Sequence, residues 1–284
     1  SNKVHRRQSR MTRICIVLAV FLVAVMFGLA DMYLQSMTDE IRHQKGDWHC
    51  KITSISAETA EYIEARPEID VAGWQGIIPA ENGYSLVGQS LALAGMDETV
   101  FSQVYLGSFL SGEFPEAVGE AALSSALAQA TGISAGDSIT LNCPDGSTLQ
   151  LTITGIFDNE AASLTTNNPN ALLLRPESLS SIPSGDLSEN WQYVVRFSLL
   201  SNVSSSIADI VQQNGISDTQ IVQNLELLSL LGQADDSTVS AIYTIAFMLA
   251  IVVMGTCIMM ISSSLANNVS QRMELFGLMR CLGA

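Results

Sequence analysis

Charge is scarce in this chain of 284 residues: Asp, Glu, Lys and Arg make up 14% of it, against 48% hydrophobic residues, and the mean hydropathy is +0.29. Soluble domains carry about a quarter charged residues, so composition argues against an ordinary soluble globule. The deficit is local. No charged residue lies between Ile14 and Ala30 or between Ser237 and Ser270. Each run approaches the ~20 residues that a helix needs to cross a ~30 Å hydrocarbon core. Histidine is nearly absent, with three in the chain. His43 and His49 stand close to Cys50, a trio that holds zinc only with well-placed geometry and an orienting second layer; a surface connector is the simpler reading. No phosphate-cradling Gly-x-x-x-x-Gly-Lys, nucleophile-elbow Gly-x-Ser-x-Gly or zinc-binding His-Glu-x-x-His occurs. The scattered carboxylates form no paired motif and read as a solvated face. The expectation is a protein that is not an enzyme and holds no cofactor or metal.

Positive charge is the scarcest sign, and its placement is informative. Lys3, Arg6, Arg7, Arg10 and Arg13 precede the first apolar run with no acid among them, and Arg272 and Arg280 follow the second. The positive-inside rule then places both termini in the cytoplasm and the segment between the runs outside. That segment, residues 36–236, carries Arg42, Lys45, Lys51, Arg66, Arg175 and Arg196 against about two dozen carboxylates. Such an acidic domain excludes nucleic-acid binding, which needs a basic face. It favours cationic partners at long range, although acidity also simply keeps exported domains soluble. The expected divisions are a basic cytoplasmic N-terminus (1–13), a first membrane helix (14–35), an extracytoplasmic domain (36–236), a second membrane helix (237–263) and a cytoplasmic amphipathic segment (264–284). A cleavable signal peptide ending at Gly28-Leu29-Ala30 is the rival for the first run, whose apolar core is long for that purpose.

Of five cysteines, Cys15 and Cys257 lie in the apolar runs and Cys281 beyond the second. Only Cys50 and Cys143 share the exterior segment, so a single disulfide is open to them. Within that segment, Gln35 to Gly46 reads as a polar connector, Trp48 to Thr53 as a strand, and Ala57 to Arg66 as a helix capped by Ser56 and stopped by Pro67. Val71 to Ile78 reads as a strand, Glu120 to Thr131 as an alanine-rich helix with Gly132 at its end, and Ile139 to Ile153 as a hairpin turning at Cys143 to Ser147. Asn159 to Asn170 is a polar loop, Tyr193 to Phe197 a strand, Val203 to Gln213 a helix, and Ile221 to Leu231 a leucine-rich approach to the second run. Asn202-Val203-Ser204 is a glycosylation sequon by pattern alone. Strand, helix, strand with short links suggests an α+β sandwich.

The tail carries the most specific signal. Leu275, Leu278, Met279 and Leu282 fall on one helical face, with Arg272, Glu274 and Arg280 polar. The pattern Arg-x-x-x-Phe-Gly-x-x-Arg-Cys-Leu-Gly-Ala, Arg272 to Ala284, resembles the signature after the second membrane helix of FtsX-like and MacB-like ABC transporter permeases. Gly112-Glu113-Phe114-Pro115, Gly119-Glu120-Ala121-Ala122-Leu123-Ser124, Gly136-Asp137-Ser138-Ile139-Thr140-Leu141 and Asn224-Leu225-Glu226-Leu227-Leu228 resemble runs of the same family's exterior domain. The resemblance implies an α+β extracytoplasmic domain of MacB periplasmic core type inserted between two transmembrane helices. It also implies a separate ABC ATPase subunit, a second permease protomer in a homo- or heterodimer, and contact with membrane lipid. In such a permease the coupling segment would be Arg272, Glu274, Phe276, Gly277, Arg280 and Gly283, with Phe276 as apolar anchor and Gly277 admitting the partner's backbone. Plain positive-inside retention is the alternative role for both arginines. Leu275 stands where the family usually has an acidic or amide residue. The family continues into further membrane helices, so the chain is expected to be the N-terminal portion of a longer permease. A two-helix sensor is the competing class; it would need sustained heptads after the second helix, and glycines at 277 and 283 interrupt any such run.

Overall fold

The computed structural model describes residues 2–158, 169–182, 191–198, 202–234 and 238–281. The chain divides into two compact units, Ser1–Ser36 with Ser237–Ala284, and Met37–Asp236. The first is helical, made from the start of α1 (Asn2–Lys45) and from the helix that ends the chain (Thr238–Cys281). Each contains a stretch apolar enough to span a bilayer, with mean hydropathy 2.3 and 2.5, and only 11% of each stretch is buried. A core helix of a soluble protein would be mostly buried, so these faces suit lipid. The two helices meet where Phe27 stacks on Tyr243 at 6.4 Å and the Tyr243 hydroxyl donates to Asp31, with Ala30, Ala246 and Ala250 buried nearby in sequence. Small residues at four-residue spacing let helix backbones approach closely.

The second unit is built on one mixed sheet. After α1 come β1 (Cys50–Thr53), α2 (Ala57–Glu64), β2 (Ile69–Ile78), β3 (Ser85–Leu86), β4 (Gln89–Ser90), β5 (Ala92–Met96), β6 (Phe109–Gly112), β7 (Glu120–Ser124) and α3 (Ser125–Thr131). Then follow β8 (Ser138–Asn142), β9 (Thr148–Phe157), β10 (Ala171–Leu174), α4 (Pro176–Ser180), β11 (Trp191–Phe197), α5 (Val203–Asn214), β12 (Ile221–Gln223), α6 (Leu225–Leu230) and α7, the terminal helix. Strands run in the order β12-β1-β11-β2-β5-β10-β7-β9-β8-β3-β4, with β6 added beside β9. The pairs β5–β10 and β7–β9 are parallel and the others antiparallel.

Three apolar clusters hold this sheet. Helices α2 and α5 cover one end through Ala60, Ile63, Ile207 and Ile210 against Ile52, Tyr193, Val195 and Phe197. Helices α3 and α4 cover the other through Leu127 and Leu179 against Leu93, Leu123, Ile153 and Leu172. The intervening strand residues point to the opposite face, where Ala94, Ala122, Leu173 and Val194 meet Val100, Phe101 and Tyr105. Successive strand residues alternate faces. With both faces covered, β5 and β10 are buried along their whole length and read as unbroken apolar runs.

Several expectations need correcting. The stretch from Gln35 to Lys45 is helical and continues α1 without a break. Glu120 to Ser124 is a strand; alanine favours helix, but burial between β9 and β10 overrides a preference of under 1 kcal/mol per residue. The disulfide considered between Cys50 and Cys143 is not formed: both are free thiols, buried in different clusters at opposite ends of the strand order. Most of the polar loop from Asn159 to Asn170 lies outside the described residues.

Candidate functional site

Helix α1 ends at Lys45, inside the sheet-bearing unit, and its last turn is tied to the sheet. Gly46 stops the helix. Its φ of +93° suits glycine, its N–H donates to Arg42 O at 2.9 Å, and an added Cβ would lie 3.1 Å from Trp48 and Tyr105. Trp48 Nε1 donates to Lys45 O at 2.7 Å, satisfying a carbonyl that the helix end leaves free.

Charged side chains tie this end to three separate elements. Arg42 Nε bonds Asp47 Oδ1 at 3.0 Å, and Arg196 on β11 bonds Asp47 Oδ2 at 3.2 Å. Arg196 also holds Asp70 of β2 through Nε at 2.8 Å and Nη2 at 2.7 Å, and donates to Gln103 O at 2.7 Å. The guanidinium fork suits such simultaneous pairing, which a single ammonium does not match. Beside it Lys51 Nζ stands 4.3 Å from the Trp48 ring centre and donates to the Tyr105 hydroxyl at 3.0 Å. Tyr105 donates to Gln75 Oε1, and Gln75 Nε2 to Gln192 Oε1 at 2.9 Å. Burial lowers the Lys51 ammonium to about 8 and raises the Tyr105 phenol above its usual value.

Entry and exit of the exterior unit are neighbours. Strand β12, which leads out, pairs with β1, which leads in; Asn224 N–H donates to His49 O at 3.0 Å. Lys45 Nζ lies 2.7 Å from Glu226 of α6. Four of the six cations of this acidic unit, Arg42, Lys45, Lys51 and Arg196, therefore gather at the root of the sheet. Sequence reasoning did not single them out. Their rarity among carboxylates was the available signal.

His49 is part of the same root. It is 1% exposed, its ring stacks on Phe197, and Nδ1 accepts the Phe197 N–H at 3.0 Å. The side chain is thus buried, and Cys50 beside it is a thiol that burial pushes up to about 12. His43 is exposed on α1. No three potential ligands converge among the described residues. Burial lowers His49 to about 4; Asp47 opposes this, and Arg196 and Arg42 add to it. A histidine whose folded pKa lies below its unfolded value of about 6.5 contributes stability above that value and loses it as pH falls towards 4. The full shift corresponds to about 3 kcal/mol. Thermal unfolding between pH 7 and pH 5 is expected to show this loss, and His49→Gln is expected to flatten that part of the profile.

Of the coupling residues expected from sequence, Arg272, Glu274, Phe276, Gly277 and Arg280 lie on α7, and Gly283 falls outside the described residues.

Comparison with known proteins identifies the family. The sequence model of the MacB-like periplasmic core domain matches residues 9–219, nearly three quarters of the chain. The chain belongs to the MacB-like periplasmic core domain family. The MacB-like chain also resembles the periplasmic region of MacB from Actinobacillus actinomycetemcomitans, at 10% identity, covering 70% of this chain and 99% of that one with a TM-score of 0.49. It resembles the extracellular domain of the noncanonic ABC-type transporter YknZ from Gram-positive bacteria, at 8% identity, covering 62% and 98% with a TM-score of 0.46. A comparison with curated proteins returns no match. The expected fold class and family are borne out: a mixed α/β domain of MacB periplasmic core type, flanked by two apolar helices, as in MacB/FtsX-like ABC transporter permeases. The MacB-like chain is a membrane protein with an extracytoplasmic domain.

Proposed function

We propose that this chain is the membrane subunit of an ABC transporter of mechanotransmission type and does not itself hydrolyse ATP. A separate ATPase docks in the cytoplasm against the segment from Arg272 to Leu282. Nucleotide-driven closure of the ATPase moves two permease protomers relative to each other. The membrane helices carry that movement to the exterior domain, which works on a peptide, lipid, lipoprotein or cell-wall partner. The clustered arginines before residue 14 and after residue 270 support cytoplasmic termini at both ends.

The observation that carries this reading is the adjacency of β1 and β12 with the Lys45–Glu226 ion pair. Both tethers of the exterior domain enter one edge of one sheet, so relative motion of the two membrane helices acts on a single stiff element. A helix of ~30 residues is ~45 Å long, enough to cross the bilayer and reach beyond it. Phe276→Asp is expected to abolish ATPase co-purification while membrane insertion is unchanged, and Gly277→Trp to do the same. Undiminished co-purification of both variants would remove the docking role.

A further inference from the structure

Among the described residues, strand β12 is the last strand on its side of the sheet and pairs only with β1. The bond from Asn224 N–H to His49 O fixes the alternation of this antiparallel pair. Backbone groups of Val222 face Lys51, whereas those of Ile221 and Gln223 face away from the sheet. The Ile221 N–H is taken by the Asp218 carbonyl. The Ile221 carbonyl and both backbone groups of Gln223 meet no backbone partner among the described residues. Exposed edges are normally blunted by proline, by charge or by a covering segment. The sequence Ile-Val-Gln supplies neither proline nor charge, and Val222 is 51% exposed.

Helix α5 stands over this edge. Ser204, Ala208 and Val211, with Ile207, face Ile221, Gln223 and Asp218 across a groove of about 340 Å³. A free strand edge beside a helix wall is the geometry by which an extended peptide adds a strand while its alternate side chains enter a pocket.

We infer that this groove is a strand-addition site for an extended, cationic peptide segment of an exterior partner. Three features define the occupant. The outward backbone groups require an extended chain: one ligand residue exchanges two bonds with Gln223, and a second donates to the Ile221 carbonyl. The wall of Ile207, Ala208, Val211 and Ile221 takes a small or branched apolar side chain at every second position. Asp218 at the rim, within a unit of about two dozen carboxylates and six cations, favours Lys or Arg at the positions between. A second copy of this chain brings the same surplus of acid and is disfavoured. The site acts without nucleotide, so it goes beyond the coupling role and can be tested without an ATPase.

The probe is a fluorescent octapeptide of alternating Lys and Val, titrated by anisotropy against the detergent-solubilised chain. Two further peptides carry backbone N-methyl groups on all valines or on all lysines. In an added strand, one of these sets of N–H groups faces β12 and the other faces solvent. One methylated peptide is therefore expected to lose at least tenfold in affinity and the other to bind like the parent. Equal affinity of the two methylated peptides, at any level, overturns the proposal, because plain charge attraction does not distinguish them. Gln223→Pro removes an outward N–H that the pairing with β1 does not use, and is expected to weaken the parent peptide at least tenfold. Ala208→Trp, which fills the groove without touching the edge, is expected to do the same. Unchanged binding to both variants overturns the site. So does dimerisation of the peptide-free chain that Gln223→Pro abolishes, which would give the edge to a second copy. ATPase co-purification with Gln223→Pro is expected to match wild type, so failure here is distinguishable from failure of the coupling role.

Discussion

Gly112→Ala is expected to cost the exterior domain about 4 kcal/mol or more, enough to prevent accumulation of folded protein. Two effects coincide there. Gly112 has φ +75°, and a Cβ at this position would lie 2.0 Å from the Thr154 carbonyl oxygen and 2.7 Å from Gly155 Cα. Both obstacles are backbone, so no rotamer change relieves them. They belong to β9, which pairs Gly112 with Gly155 and passes between β7 and β8. Separation would also open the ring cluster in which Phe109 and Phe114 pack on Phe101, with centroids 5.3 and 6.0 Å away. Gly119→Ala is the control. Its φ is +93° but nothing lies within 4 Å of an added Cβ, so it carries only backbone strain of about 1–3 kcal/mol. The yield of folded, detergent-extracted protein separates the two: Gly119→Ala is expected to be recovered and to unfold cooperatively in near-ultraviolet circular dichroism, and Gly112→Ala is expected to be lost or aggregated.

Arg196→Met is expected to have the second largest effect, a loss of about 3 kcal/mol. Removing the guanidinium leaves Asp47, whose side chain is 15% exposed, with Arg42 alone, and leaves Asp70 without its partner. Asp47→Asn in the same chain is expected to recover part of the loss, because it neutralises the stranded carboxylate; urea titration of the four members of this cycle measures the coupling. Arg196→Lys is expected to recover little, since one ammonium cannot hold Asp47, Asp70 and Gln103 together. If the root of the sheet transmits movement, Arg196→Met should also uncouple ATP hydrolysis from the exterior domain under conditions where the variant is still folded.

How much of this was legible from sequence depended on local pattern. The β8–β9 hairpin was readable because Ile139, Leu141, Leu151 and Ile153 alternate with polar residues and Pro144-Asp145-Gly146 turns the chain. Helix α2 was readable because Ser56 Oγ accepts the Thr59 N–H at 3.1 Å, the local bond that its sequence advertises. Strand β5 was not, because Ala92 to Met96 is buried on both faces and a short unbroken apolar run carries no period. Strand β7 carries no period for the same reason, and its alanines add a helical bias. The charged root at Arg42, Asp47 and Arg196 was invisible because its bonds span up to 149 residues. Nothing local in Arg196 says that it meets the end of α1. The proposed coupling segment is the reverse case, a motif plain in sequence whose proposed role would need a partner to act on.

The most direct measurement uses spin labels at exposed Thr219 in the membrane-embedded protein, co-expressed with the proposed ATPase and assembled as the proposed permease dimer. Pulsed dipolar spectroscopy would compare nucleotide-free and ATP-bound states. A shift of the label-to-label distance on ATP binding, lost in Phe276→Asp, is the predicted result. Identical distance distributions in both states would contradict the transmission of cytoplasmic work to the exterior domain.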